Sequence, residues 1–174
     1  MYNRFLDTRK TLEVILFVSE KEHDLRRIMK YLYFADKLHL ELYGRFITGD
    51  YYVKMDQGPV PSGAYDIAKA ARGDLIPFDE RIIHLSPKDS IIFRNRVTII
   101  GKRSPDLKYL SESDIQCLDQ TIETLRHYTD NELIDLGHDE IAWQDADING
   151  AMDMTKIVLS LPNGVEILQC LEAD

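Results

Sequence analysis

Apolar residues along the first quarter of the chain recur at steps of three and four. Phe5, Leu6, Leu12, Ile15, Leu16 and Val18 are interleaved with Arg4, Arg9 and Lys10, which predicts a helix over residues 4–19 with one buried face. Ser19 to His23 is polar and connects to a second helix, for which Asp24 supplies a capping carboxylate. Its apolar positions are Leu25, Ile28, Met29, Leu32, Ala35, Leu38 and Leu42, and Gly44 then offers a residue for which positive φ carries no steric penalty. The two helices are expected to pack as an antiparallel pair.

The pattern changes after Phe46. Ile47 to Met55 is rich in strand formers around a turn-like Gly49-Asp50. Gly58-Pro59-Val60-Pro61 reads as a stiff bend, since each proline fixes its own φ and biases its predecessor toward extended geometry. Ser62 is expected to cap a helix over 63–71 that stops near Gly73. Residues 75–102 read as strands: Ile82, Ile83 and Leu85 form one segment, Ile91 to Phe93 a second, and Val97 to Ile100 a third, with a turn at Asn95. Ser111-Glu112-Ser113-Asp114 fits a capping box for a helix to about Tyr128. Thr129 or Asp130 caps a short helix through Leu136, and two closing helices flank Pro162. The class is mainly α (α+β), a helical domain with a small antiparallel sheet inserted between helices, and residues 1–174 are expected to form one domain.

Composition narrows the class. With 44% hydrophobic and 29% charged residues the chain is globular rather than disordered. The apolar runs are far shorter than the ~20 residues of a spanning helix, and no secretory signal is expected. Two distant cysteines, Cys117 and Cys170, indicate neither a disulfide scaffold nor a zinc finger, so a reducing cytoplasm is the expected location. The net charge is −9 and unevenly placed: residues 111–149 hold eleven acids against a single Arg126, a balance of −10, leaving +1 for the rest. That sign disfavours phosphate, hence nucleic acid. It suits a basic partner, although solvated helix faces give the same pattern.

Nucleotide-binding, nucleophile-elbow and zinc-protease motifs are missing from the sequence. His39-Leu40-Glu41 and His138-Asp139-Glu140 set a metal-ligand type beside carboxylates, but further ligands would have to converge from elsewhere, so no metal and no cofactor is expected. Cys117 lies on an amphipathic helix and reads as core. Tyr31, Tyr33 and Phe34 point in different directions around their helix, and some of them should pack on the inserted sheet. Tyr51 and Tyr52 should face opposite sides of a strand, leaving one exposed. Tyr51, Tyr52, Met55, Pro59, Val60 and Pro61, with Asp139 and Glu140, are the candidate partner-binding residues: aromatics and methionine beside a rigid proline segment can anchor a protein. A locally packed hairpin is the competing reading.

Tyr33-Phe34-Ala35-Asp36, His39, Tyr43-Gly44, Thr48-Gly49-Asp50 and Gly58-Pro59-Val60-Pro61-Ser62, followed by Leu110 to Asp114 and His138 to Trp143, form an ordered series. It resembles the Panacea domain, the SocA-like antitoxin or phage-associated GepA-like family, over roughly residues 5–150. Gly137 before His138 is a modest departure from the family pattern as read here. The resemblance implies a non-enzymatic protein that neutralises a co-encoded toxin by direct binding, with one branch acting as an adapter that delivers the toxin to a protease. Some members carry an added DNA-binding domain, for which this chain leaves no room. Two other readings stay open. One is a phage-encoded protein that targets a host factor. The other is an enzyme using His39 or His138.

Overall fold

The computed structural model describes residues 5–74, 76 and 79–173. Arg4, at the start of the expected first helix, and Leu75, Pro77 and Phe78, at the start of the expected strand region, lie outside the described residues.

Helix α1 spans Thr8–Ser19, with the Asp7 side chain accepting from the Lys10 N–H at 2.9 Å. Helix α2 spans Leu25–Tyr43, capped by Asp24 and ended by Gly44 at φ 69°. Both follow the helical spacing of most of their apolar residues, but α1 starts only at Thr8, so Phe5 and Leu6 precede it with Phe5 exposed, and Leu42 of α2 is exposed as well. Their mutual contact is slight: α2 packs most extensively on α6 (Glu112–Leu125), while α1 lies against α3 (Ser62–Arg72). Leu12, Ile15, Leu16, Ile28, Leu32 and Leu118 are among the residues of the main core these helices share.

Strands β1 (Tyr52–Met55) and β2 (Gly58–Pro61) form an antiparallel hairpin in the register Tyr52 with Pro61 and Lys54 with Pro59. The expected bend at Gly58 to Pro61 is therefore a strand. Prolines at alternate positions place both missing N–H groups on the side away from β1. The intervening residues keep the ladder, and the Ser62 N–H continues it to the Tyr51 carbonyl at 2.9 Å. The other edge of β1 is covered by residues 149–152: Lys54 donates to Gly150 O, and Met152 donates to Tyr52 O.

Ile82 to Leu85 belongs to a helix, α4 (Glu80–Leu85), not a strand. Asp79 caps it, accepting from the Arg81 N–H at 2.9 Å, and Glu80 sits in its first turn, so local capping overrides a short apolar run of ambiguous period. After the short α5 (Pro87–Ser90), β3 (Ile91–Phe93) and β4 (Ile99–Gly101) form a second hairpin, with Asn95 Oδ1 accepting from the Val97 and Thr98 amides in the turn. The two hairpins are separate two-stranded sheets.

Helix α6 carries the expected capping box, and α7 (Asp130–His138) carries another, Thr129 with Glu132. The chain continues through α8 (Ile141–Gln144), α9 (Met154–Leu159) and α10 (Gly164–Ala173). Two smaller clusters dock this end: Leu40 and Phe46 with Val158, Leu161, Ile167 and Leu171, and Tyr33 and Tyr52 with Ala142, Met152 and Ile157. No helix among the described residues is long and apolar enough to cross a membrane.

Candidate partner-binding surface

The β1–β2 hairpin is gripped from three sides. From below, the Tyr33 ring of α2 meets Tyr52 edge-on at 4.8 Å, and Phe34 meets Tyr33 at 5.1 Å. Tyr31 points elsewhere, its hydroxyl joining Glu22 and Arg27. The buried Asp36 carboxylate accepts from the Ile47 N–H at 2.7 Å and from the Tyr52 hydroxyl, tying the strand to α2. From α8, the Trp143 indole donates to the Met55 carbonyl at 3.0 Å. His138 stacks on Trp143 at 4.1 Å, and its Nε2 lies 2.8 Å from the Asp56 carbonyl, so it donates there. From α7, Gly137 allows backbone contact: a Cβ there would stand 2.9 Å from Pro59 Cδ. Gly58 turns the hairpin at φ 116°.

Asp50 has a role the sequence reading assigned to Ser62. Its carboxylate accepts from the Gly63 and Ala64 amides, both at 2.9 Å, and so caps α3 from thirteen and fourteen residues away. Ser62 is the first residue of that helix, and its side chain makes no cap. Gly49, at φ 74°, and buried Thr48, whose carbonyl accepts from Asp7 N–H, lead the chain into this position.

A second polar cluster joins α1, α2 and α6. His39 and Asp114 are both fully buried. His39 Nδ1 lies 2.8 Å from the Arg45 carbonyl and Nε2 3.0 Å from Ser113 Oγ. The carbonyl can only accept, so Nδ1 carries the proton; in the neutral ring Nε2 then accepts from the Ser113 hydroxyl, with Asp114 Oδ1 3.3 Å away. Burial depresses the His39 pKa, consistent with this neutral form. Burial alone would raise Asp114, but Lys10 at 2.7 Å and the Ser111 amide outweigh it and hold the carboxylate below its usual range. Tyr43 packs on His39 at 4.9 Å and donates to Gln116, and Gly44 ends the helix directly after it. These histidines are structural in geometry, and no group of three or more metal-ligating side chains converges among the described residues. Cys117 is buried, and burial pushes its thiol up to about 11.

The candidate contact residues divide. Tyr51 is 52% exposed and Tyr52 1%, as strand alternation requires. Tyr52, Pro59 and Pro61 are buried against the chain's own helices and offer no surface. Met55 and Val60 are half-buried and border one cleft, whereas Tyr51 borders another with Phe5 and Arg81. Asp139 is exposed, but Glu140 is held inside by the Tyr33 hydroxyl at 2.6 Å and Lys37 at 2.7 Å.

The acidic segment is also redistributed. Asp119 pairs with Lys21, Asp130 with Arg27 and Asp145 with Lys156, while Asp114 and Glu140 take Lys10 and Lys37. Bases from other parts of the chain thus neutralise much of a charge that is segregated only along the sequence. Asp135, Asp139 and Asp147 remain at the surface.

Residues 28–144 match the model of the SocA-like antitoxin family, the Panacea domain. The chain belongs to that family. No curated protein and no solved structure matches it. In this Panacea domain the paired features Tyr33, Asp36, Tyr52, His138 and Trp143 form one unit that fixes the hairpin in place. Sequence reasoning missed Lys54, whose ammonium lies 4.3 Å from the Trp143 ring centre and donates to the Gln144 and Ala146 carbonyls. A lysine between strand formers gives no signal of that role. It also missed Lys30, buried on α2 beside the hairpin turn.

Proposed function

We propose that this chain is a non-enzymatic cytoplasmic antitoxin, acting as a single domain, that neutralises a co-encoded toxin by direct protein–protein binding. Membership of the SocA-like antitoxin family over residues 28–144 carries this reading. The geometry supports it in two ways. His39, His138 and the carboxylates of Asp114 and Glu140 are engaged in internal bonds, as in His39 with Arg45 and Glu140 with Tyr33. The hairpin, meanwhile, is held by α2, α7 and α8 and leaves Tyr51 exposed and Met55 and Val60 half-buried, at two separate clefts. A preorganised surface of this kind loses little entropy on docking.

Tyr51, Met55 and Val60 would supply apolar contact, with Asp135 and Asp139 attracting a basic toxin. Delivery of the toxin to a protease is the adapter form of the same binding. Co-expression with the product of the adjacent reading frame tests the proposal. Restored growth with a stable complex supports sequestration, and a protease-dependent fall in toxin half-life supports the adapter form. Restored growth with neither argues against direct binding.

A further inference from the structure

Lys30 is 5% exposed, yet its ammonium forms no hydrogen bond or ion pair among the described residues. The stem is buried while the unpaired ammonium opens onto the clefts it lines, where a ligand can reach it. The side chain runs under the hairpin turn, where a Cβ at Gly58 would stand 3.9 Å from Nζ. It lines clefts on both sides of Gln57. The larger, about 300 Å³, lies between α2, α3 and the hairpin, with Met29, Met55, Val60, Tyr65 and Val97 in its walls. That volume is at the lower end of small-ligand sites, which are mostly apolar with a few placed polar groups.

The charge inventory selects the ligand. Arg26 is held by Asp24, Arg27 by Glu22 and Asp130, and Arg72 by Asp74. Among the described residues lining the cleft, Lys30 is thus the cation without a carboxylate partner. Burial lowers its pKa to about 8, helped by Arg26 and opposed by Asp130 and Asp24, so it stays mainly protonated at neutral pH. One ammonium balances one negative charge. A phosphate dianion would face the Asp56 carboxylate of the same cleft with half its charge uncompensated.

We propose that this cleft binds a small organic acid, a single carboxylate on an apolar or aromatic stem, with the Lys30 ammonium as its counter-charge. The stem lies against Met29, Val60 and Tyr65, and the carboxylate takes the charge-assisted hydrogen bond that Lys30 lacks. The cleft shares Met55 and Val60 with the proposed toxin contacts, but its test uses the chain alone and does not rest on toxin binding.

The test titrates the full chain at neutral pH with 4-phenylbutyrate, 4-phenylbutan-1-ol and inorganic phosphate, following the methyl resonances of Met29 and Met55. The acid should shift both saturably, and the alcohol should bind at least about tenfold more weakly. Lys30→Met keeps the stem and removes the charge. It should lose about tenfold or more in affinity for the acid and little for the alcohol. Equal binding of acid and alcohol by the unaltered protein, preference for phosphate, or no saturable shift overturns the proposal, and none of these outcomes depends on how the variant folds.

Discussion

The Trp143 indole N–H and the Met55 carbonyl lie 3.0 Å apart, joining a helix near the end of the family motif to the tip of a hairpin near its start. Together with the His138 bond to Asp56, this contact fixes the turn from outside the ladder. Trp143→Phe keeps most of the ring and leaves the Met55 carbonyl without its donor. A loss of about 1–2 kcal/mol is expected from urea unfolding. Amide exchange should accelerate in residues 54–58 before it does so in α2.

Gly137 is where α7 meets the hairpin backbone, with Pro59 Cδ and Gly58 Cα at 2.9 and 3.4 Å from a notional Cβ. A proline ring cannot rotate away as a flexible side chain would. Gly137→Ala should therefore destabilise by about 1–3 kcal/mol, despite alanine's better helix propensity. Thermal melting checks this, and a stabilised variant would mean that the hairpin yields easily.

Stability should fall in acid. Glu13, fully buried, would be raised by burial, but it is held low by Arg103, the Asp106 amide and Arg9. Asp114 is held low in the same manner by Lys10. For both, the folded pKa lies below the unfolded one. Their contribution is complete above about pH 4.5 and is lost as pH falls through the folded values. His39, with a depressed pKa, begins the decline below about pH 6.5, because the unfolded state takes up its proton first. Urea midpoints from neutral pH downward measure the curve. Asp114→Asn should flatten its lower limb and lower the midpoint at neutral pH, since it strands Lys10.

Lys30 has a linkage of the same sign at higher pH, but here the charged form is the destabilised one. Its folded pKa, about 8, is below that of an unfolded lysine, so the unfolded chain holds more protons between there and about pH 10.5. Its burial penalty is present below pH 8 and is relieved as pH rises through that window. Lys30→Met should stabilise the protein at neutral pH by about 1–3 kcal/mol. The gain over the unaltered chain should shrink as pH rises toward about 10.

The elements legible in the sequence are those fixed by neighbours along the chain. Asp24 and Gly44 bound α2, and Ser111 with Asp114 opens α6, because a cap and its helix lie within four residues of each other. Long-range features were not legible. The carboxylate capping α3 comes from Asp50, well upstream, so Ser62 took the role by proximity. The prolines at 59 and 61 signal a bend until β1 is placed beside them, when their spacing of two becomes compatible with a strand edge. The acidity of residues 111–149 looked like a patch because Lys10, Lys21, Lys37 and Lys156 are distant in sequence and close in space.

Of the apolar residues assigned to partner binding, Tyr51 and Met55 can be shortened without opening the main core. The decisive measurement is affinity between the purified chain and the purified toxin encoded beside it, for the unaltered protein and for Tyr51→Ala and Met55→Ala. The expected result is a stoichiometric complex that one or both variants weaken by about tenfold or more with unchanged melting temperatures. A chain that restores growth yet shows no association with the toxin at micromolar concentration contradicts the claim that it works by docking.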